Sequence, residues 1–155
     1  MATMNEETAE MVKSGFLAAV PFARTLGVEF LEVDYHRISM RLPDTEANHN
    51  HVGGPHAGAM FTLGESASGA VVTGAFGHLL DRAVPLAVKA EIHYRKLAMG
   101  DVVAEAHLDR PREEIEAELE SGGRPEFAVE VELRTADGTA TGAMTVTWTL
   151  KPSRR

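Results

Sequence analysis

Four segments in the second half of the chain alternate apolar and polar residues with a period of two. That is the spacing of side chains on one face of a half-buried strand. Leu86, Val88, Ala90, Ile92 and Tyr94 alternate with Lys89, Glu91, His93 and Arg95. Val102, Ala104, Ala106 and Leu108 alternate with Glu105 and His107, and Phe127, Val129, Val131 and Leu133 with Glu130, Glu132 and Arg134. In the last segment Gly142, Met144, Val146, Trp148 and Leu150 alternate with threonines and Ala143, and Ala136-Asp137-Gly138 supplies a hairpin turn before it. Residues 28–35 and 37–42 read as two earlier strands separated by a turn at 34–36. Half-polar strands specify an antiparallel sheet with one wet face, so the other face needs a cover.

Helical spacing supplies one. Residues 55–77 are apolar on most faces, which places this helix inside the molecule. Its small residues Ala57, Gly58, Gly64, Gly69, Ala70 and Gly74 let a sheet approach the backbone closely, although each glycine costs a helix about 1 kcal/mol against alanine. Met11, Val12, Phe16, Leu17 and Val20 predict an N-terminal helix through residue 20 behind an acidic first turn. Pro21 ends that helix or begins a short second turn before Gly27. Residues 111–124 interrupt the strand pattern: 112–121 predict a short charged surface helix with Ile115 and Leu119 on one side, closed by Gly122-Gly123. The expected architecture is α+β, a single domain over residues 1–155 with an antiparallel sheet wrapped around one long central helix.

Composition narrows the function more than the fold. The formal net charge of -8 argues against general binding to nucleic acid or to a membrane surface, but leaves room for an anionic small ligand at a local basic patch. Without cysteine there is no disulfide and no thiolate metal site. Residues 1–10 carry acids and no basic leader, and the one long apolar run, 57–80, is broken by Glu65 and by glycines. A cytoplasmic protein is the expectation.

The candidate chemistry lies at the entrance of the central helix. A loop rich in amide and imidazole groups, Asn50-His51-Val52-Gly53-Gly54-Pro55-His56, runs straight into the helix, and Glu65 follows roughly two and a half turns later. A helix start offers free N–H groups to a developing negative charge, and a lone carboxylate on an apolar helix offers a base. The layout suits attack of water on a carbonyl. His49, His51 and His56 lack a known zinc spacing, so no metal and no cofactor are expected.

The residues carry a resemblance. His56-Ala57-Gly58-Ala59-Met60-Phe61-Thr62-Leu63-Gly64-Glu65 resembles the His-Gly-Gly-Ala-Leu-Phe-x-Leu-Ala-Asp stretch of the phenylacetic-acid-pathway-type acyl-CoA thioesterases of the hot-dog fold. Pro21-Phe22-Ala23-Arg24-Thr25-Leu26-Gly27 is similar to the approach to their first strand, and Ile92-His93-Tyr94-Arg95-Lys96 through Gly100-Asp101 to the exit of their third. The thioesterase-like domain of unknown function 4442, a related branch, accommodates the glutamate. The resemblance implies that Glu65 is general base or nucleophile, that Asn50 helps hold the attacking water, that His56 shapes the loop and that the Ala57 N–H polarises the thioester carbonyl. Arg95 and Lys96, at a strand exit, either meet the phosphates of coenzyme A or are solvated strand-end charges, and the resemblance extends a substrate-binding role to Gly58. It further implies a homodimer or a dimer of dimers, with Glu65 from one subunit meeting the loop of the other.

Three departures separate this chain from that pattern. Aspartate has become Glu65, alanine stands at position 57 in place of glycine, and a third-strand hydroxyl of some relatives falls on Ala87. Two other readings follow from them and from spacing. His51 and Glu65 have the fourteen-residue separation of hot-dog hydratases and dehydratases, without the Pro-Gly-Val-Leu-like run those enzymes carry. The substitutions at 57 and 87 also fit a hot-dog protein that binds acyl-CoA without turnover.

Overall fold

The computed structural model describes residues 3–153; the two outermost residues at each end of the expected domain lie outside the described residues. Helix α1 (Glu6–Ala19) starts at Asn5, whose side chain accepts the Thr8 N–H at 2.8 Å, and has Glu6 and Glu7 in its first turn. Pro21 does begin a second helix, α2 (Pro21–Leu26), which Gly27 closes in the left-handed conformation at φ 79°. Strands β1 (Glu29–Val33) and β2 (Arg37–Leu42) precede the central helix α3 (Ala57–Phe76). Strands β3 (Ala83–Tyr94) and β4 (Val102–Leu108), helix α4 (Arg112–Glu120), and strands β5 (Glu126–Thr135) and β6 (Ala140–Pro152) complete the chain.

The six strands form one antiparallel sheet in the order β1-β2-β4-β5-β6-β3. It wraps α3 in the expected hot-dog arrangement. Ile38, Met40 and Leu42 of β2, Ala104 and Ala106 of β4, Val129 and Leu133 of β5, and Met144 and Val146 of β6 are buried around Leu63, Ala67, Ala70 and Val71 of the helix. The small residues of α3 act as expected at Gly64, where an added Cβ would lie 2.7 Å from the sulfur of Met144. Helix α4 is more than a surface element, because Ile115 is fully buried.

Strand β3 departs from the alternation read in the sequence. Ala83 is buried and Ile92 packs against the core, but three of its larger apolar residues do not reach it: Leu86 is 41% exposed, Val88 51% and Tyr94 47%. Two features cause this. A bulge between Ala87 and Lys89 interrupts the two-residue period, and β3 is an edge strand, with β6 on one side only. Twelve residues of strand edge with apolar side chains beside them is a surface that proteins normally pair or cover.

Candidate active site

The loop before α3 is held by Asn50. Its Oδ1 accepts the N–H groups of Val52 at 3.0 Å and Gly54 at 3.1 Å, and its Nδ2 donates to the Pro55 carbonyl at 3.3 Å. Its backbone N–H donates to the Gly54 carbonyl at 2.8 Å. Within the chain Asn50 is therefore chiefly a loop-shaping residue, with one Nδ2 hydrogen left over. Gly54 sits against the segment after β3, where a Cβ would come 2.7 Å from the Ala98 carbonyl and 2.8 Å from the Met99 sulfur. Only glycine lets the loop close there.

His56 is the N-cap of α3. Its ring Nδ1 accepts the Gly58 N–H at 2.8 Å, and its own N–H donates to the Asn48 carbonyl at 2.7 Å. With Nδ1 used as an acceptor, a neutral His56 ring carries its proton on Nε2. The same bond occupies the Gly58 N–H, so Gly58 contributes room and backbone shape at this junction. Ala57, the first residue of the helix, is exposed, and its N–H has no intrahelical acceptor. Its carbonyl accepts the Tyr94 hydroxyl at 2.8 Å. Burial raises the Tyr94 pKa, which keeps it a neutral donor.

Tyr94 is a residue of the candidate site that pattern reading missed. It counted there only as an apolar position of β3, whereas it ties the end of that strand to the start of the helix. Its signal was local: a tyrosine directly before Arg95 and Lys96. Asn50, Ala57, Tyr94, Arg95 and Lys96 line one depression of about 350 Å³. Both basic residues are exposed there, their backbone N–H groups fixed to the Thr141 carbonyl at 2.9 and 3.0 Å.

Glu65 is elsewhere. Eight residues of helix at 1.5 Å each separate it from Ala57 by about 12 Å. It lines a second cavity of about 490 Å³ between α1, α3 and the first residues of β3. Burial raises its pKa, and no neighbouring charge or hydrogen bond offsets the effect. The helix turn beneath it is fixed: the Ser68 hydroxyl donates to the Glu65 carbonyl at 2.7 Å and accepts the Trp148 indole N–H at 3.1 Å. One chain thus brings Asn50, His56, Ala57, Gly58, Arg95 and Lys96 to one end of β3 and Glu65 to the other.

The loop histidines are divided among separate tasks. His49 pairs with Asp44, His56 caps the helix and His51 is exposed. Among the described residues no group of three ligating side chains is placed to hold a metal ion, and no helix is long and apolar enough to cross a membrane.

A long helix wrapped by an antiparallel sheet, with a capped loop at its N-terminus, defines a hot-dog protein of the thioesterase-like kind. The chain belongs to the family described as Domain of unknown function (DUF4442), whose model matches residues 8–150. A Pseudomonas aeruginosa protein of unknown function, described as a probable thioesterase, is 26% identical. The similarity covers 93% of this chain and 95% of that one at a TM-score of 0.82. A thioesterase family protein from Silicibacter pomeroyi shares the fold at 19% identity, covering 94% and 99% of the two chains at a TM-score of 0.74. So does the E. coli PaaI protein from the phenylacetic acid degradation operon, at 12% identity, covering 96% and 95% at a TM-score of 0.73. No curated protein matches the sequence.

Proposed function

We propose that this protein is a cytoplasmic acyl-CoA thioesterase whose active sites are completed between two copies of the chain. The observation that carries the reading is the placement of the two half-sites on β3. Tyr94, at the end of the strand, holds the helix start through the Ala57 carbonyl, and the Glu65 cavity opens beside Ala83, Val84 and Pro85 at its beginning. Antiparallel pairing of two β3 edges about a two-fold axis near Val88 would set the Tyr94 end of one copy against the Ala83 end of the other. That pairing covers the exposed edge and brings Ala57 of one subunit toward Glu65 of its partner.

In the proposed reaction the Glu65 carboxylate removes a proton from water as the water oxygen attacks the thioester carbonyl carbon. The carbonyl oxygen becomes an oxyanion, which the Ala57 N–H and the helix N-terminus stabilise. Collapse of the intermediate breaks the C–S bond, and the proton held by Glu65 passes to the departing CoA sulfur. Burial strengthens Glu65 as a base. Asn50 and His56 hold the loop so that the Ala57 N–H stays aimed outward, and Arg95 and Lys96 supply positive charge beside it for the phosphates of coenzyme A. The chemistry uses only side chains, backbone and water, and requires no cofactor.

Release of free CoA from acetyl-, butyryl-, octanoyl- and phenylacetyl-CoA tests the reading, with wild type beside Glu65→Gln. Turnover of at least one substrate that falls by about 10²-fold or more in the variant is expected, since removal of a positioned acid–base group costs about 10²–10⁴. Absence of turnover with every substrate, or turnover unaffected by Glu65→Gln, would overturn it.

A further inference from the structure

The Glu65 cavity extends well past the carboxylate. Its volume of about 490 Å³ is some three times the roughly 150 Å³ of an apolar cavity that takes up benzene, and within the about 300–1,000 Å³ of small-molecule sites. Helix α1 forms one wall with Gly15, Phe16 and Ala19, and Gly69, Val84 and Trp148 face it from α3, β3 and β6.

The chemistry of the lining is uniform. Glu65 is its only ionisable side chain. Its other polar groups are already satisfied: the Thr73 hydroxyl donates to the Gly69 carbonyl at 3.0 Å, and the Trp148 indole N–H to Ser68. No side-chain donor of the wall is left free to pair a second carboxylate, and an ionised Glu65 would repel an anion. The wall is also fixed. The Met4 N–H at the head of α1 donates to Asp34 at 3.0 Å, and Phe16 stands edge-on to Phe30 with ring centroids 5.8 Å apart.

We infer that this cavity is the acyl pocket, that helix α1 is its outer wall, and that it selects uncharged hydrophobic acyl groups of medium size over short or dicarboxylic ones. The inference rests on the thioesterase reading for the identity of its ligand. Gly15 and Gly69 set the size. A Cβ at Gly15 meets nothing within 4 Å, and one at Gly69 reaches only van der Waals contact with Phe16 and Trp148 at 3.5 Å. A side chain at either position would occupy space that is otherwise open to the ligand.

Trp148 is the only tryptophan in the chain, so its fluorescence reports occupancy without any requirement for turnover. Titration with 1-octanol is expected to give a saturable change in emission, ethanol and succinate none, and Gly15→Leu a weakening of octanol binding by about tenfold or more. In the CoA-release assay the same variant should lower the preference for octanoyl- over butyryl-CoA by about tenfold, with succinyl-CoA a poor substrate of the wild type. Leucine is a better helix former than glycine, so loss of folding is not the expected outcome, and Gly69→Leu provides an independent second variant. No emission change with octanol, equal binding in both variants, or succinyl-CoA hydrolysed as well as octanoyl-CoA would each overturn the acyl pocket. Octanol binding that the variants abolish, with no thioester hydrolysed, would instead retain the pocket and remove the thioesterase reading.

Discussion

Glu65 is the base of the proposed reaction, and its burial has two consequences that can be measured separately. Its pKa is raised above the ordinary glutamate value of 4.5, so between the unfolded and folded values the native state holds more protons than the unfolded chain. Stability then declines as pH rises through that window and is greatest below it. Glu65→Gln removes this dependence. The variant is expected to melt above the wild type at pH 7, with the difference vanishing as pH falls below 4.5. As the proposed base Glu65 must be ionised, so the acid limb of the kcat/KM profile should lie above that same value; a limb at or below it would contradict a desolvated base. Directly after Glu65, Ser66 is 1% exposed and its hydroxyl has no partner. An unpaired buried hydroxyl costs about 1–3 kcal/mol, and alanine is the better helix former. Ser66→Ala should therefore raise Tm by about 2 °C or more, at about 2–4 °C per kcal/mol for a chain of this size, and a lower Tm would show that the hydroxyl is satisfied in solution.

At the scale of elements, strand β3 has the most to explain. Its apolar side chains face outward beside an unpaired edge, and under the proposed function a second copy covers them. Val88 lies at the bulge near the middle of the strand, so Val88→Lys would place two like charges close together across a two-fold axis. Light scattering should find the variant monomeric with an unchanged far-ultraviolet spectrum; a dimer that persists would locate the interface elsewhere. The same strand shows what the sequence could and could not reveal. Strands β5 and β6 were legible because both neighbours and the covering helix bury their alternate residues, so period and burial agree. In β3 the period was legible as a strand, but its edge position was not, since pairing order is a property of the whole sheet. The loop was similar. Asn50, His56 and Ala57 could be located by motif, but the sequence did not reveal that Asn50 spends most of its hydrogen bonds on its own loop, or that Tyr94 reaches back to Ala57. Those contacts join residues far apart in the chain, which no local pattern encodes.

At the scale of the whole molecule, the proposed dimer has one property that single substitutions cannot isolate: each active site takes Glu65 from one copy and the Ala57 N–H from another. Mixing two defective chains isolates it. Proline is tolerated at the first position of a helix, and His56, with φ -62° and ψ 141°, already has the conformation a residue before proline requires. Ala57→Pro thus removes the N–H while leaving the helix intact, and loss of such a donor costs about 10²–10³ in kcat. Ala57→Pro and Glu65→Gln should each be nearly inactive alone. Unfolded together in equal amounts and refolded, half the dimers would be mixed, and each of those would carry one intact site made of Glu65 from one chain and the Ala57 N–H of the other. The measurement is the specific activity of that mixture: recovery to roughly a quarter of wild type is the expected result, and a mixture as inactive as its components would contradict a site shared between chains.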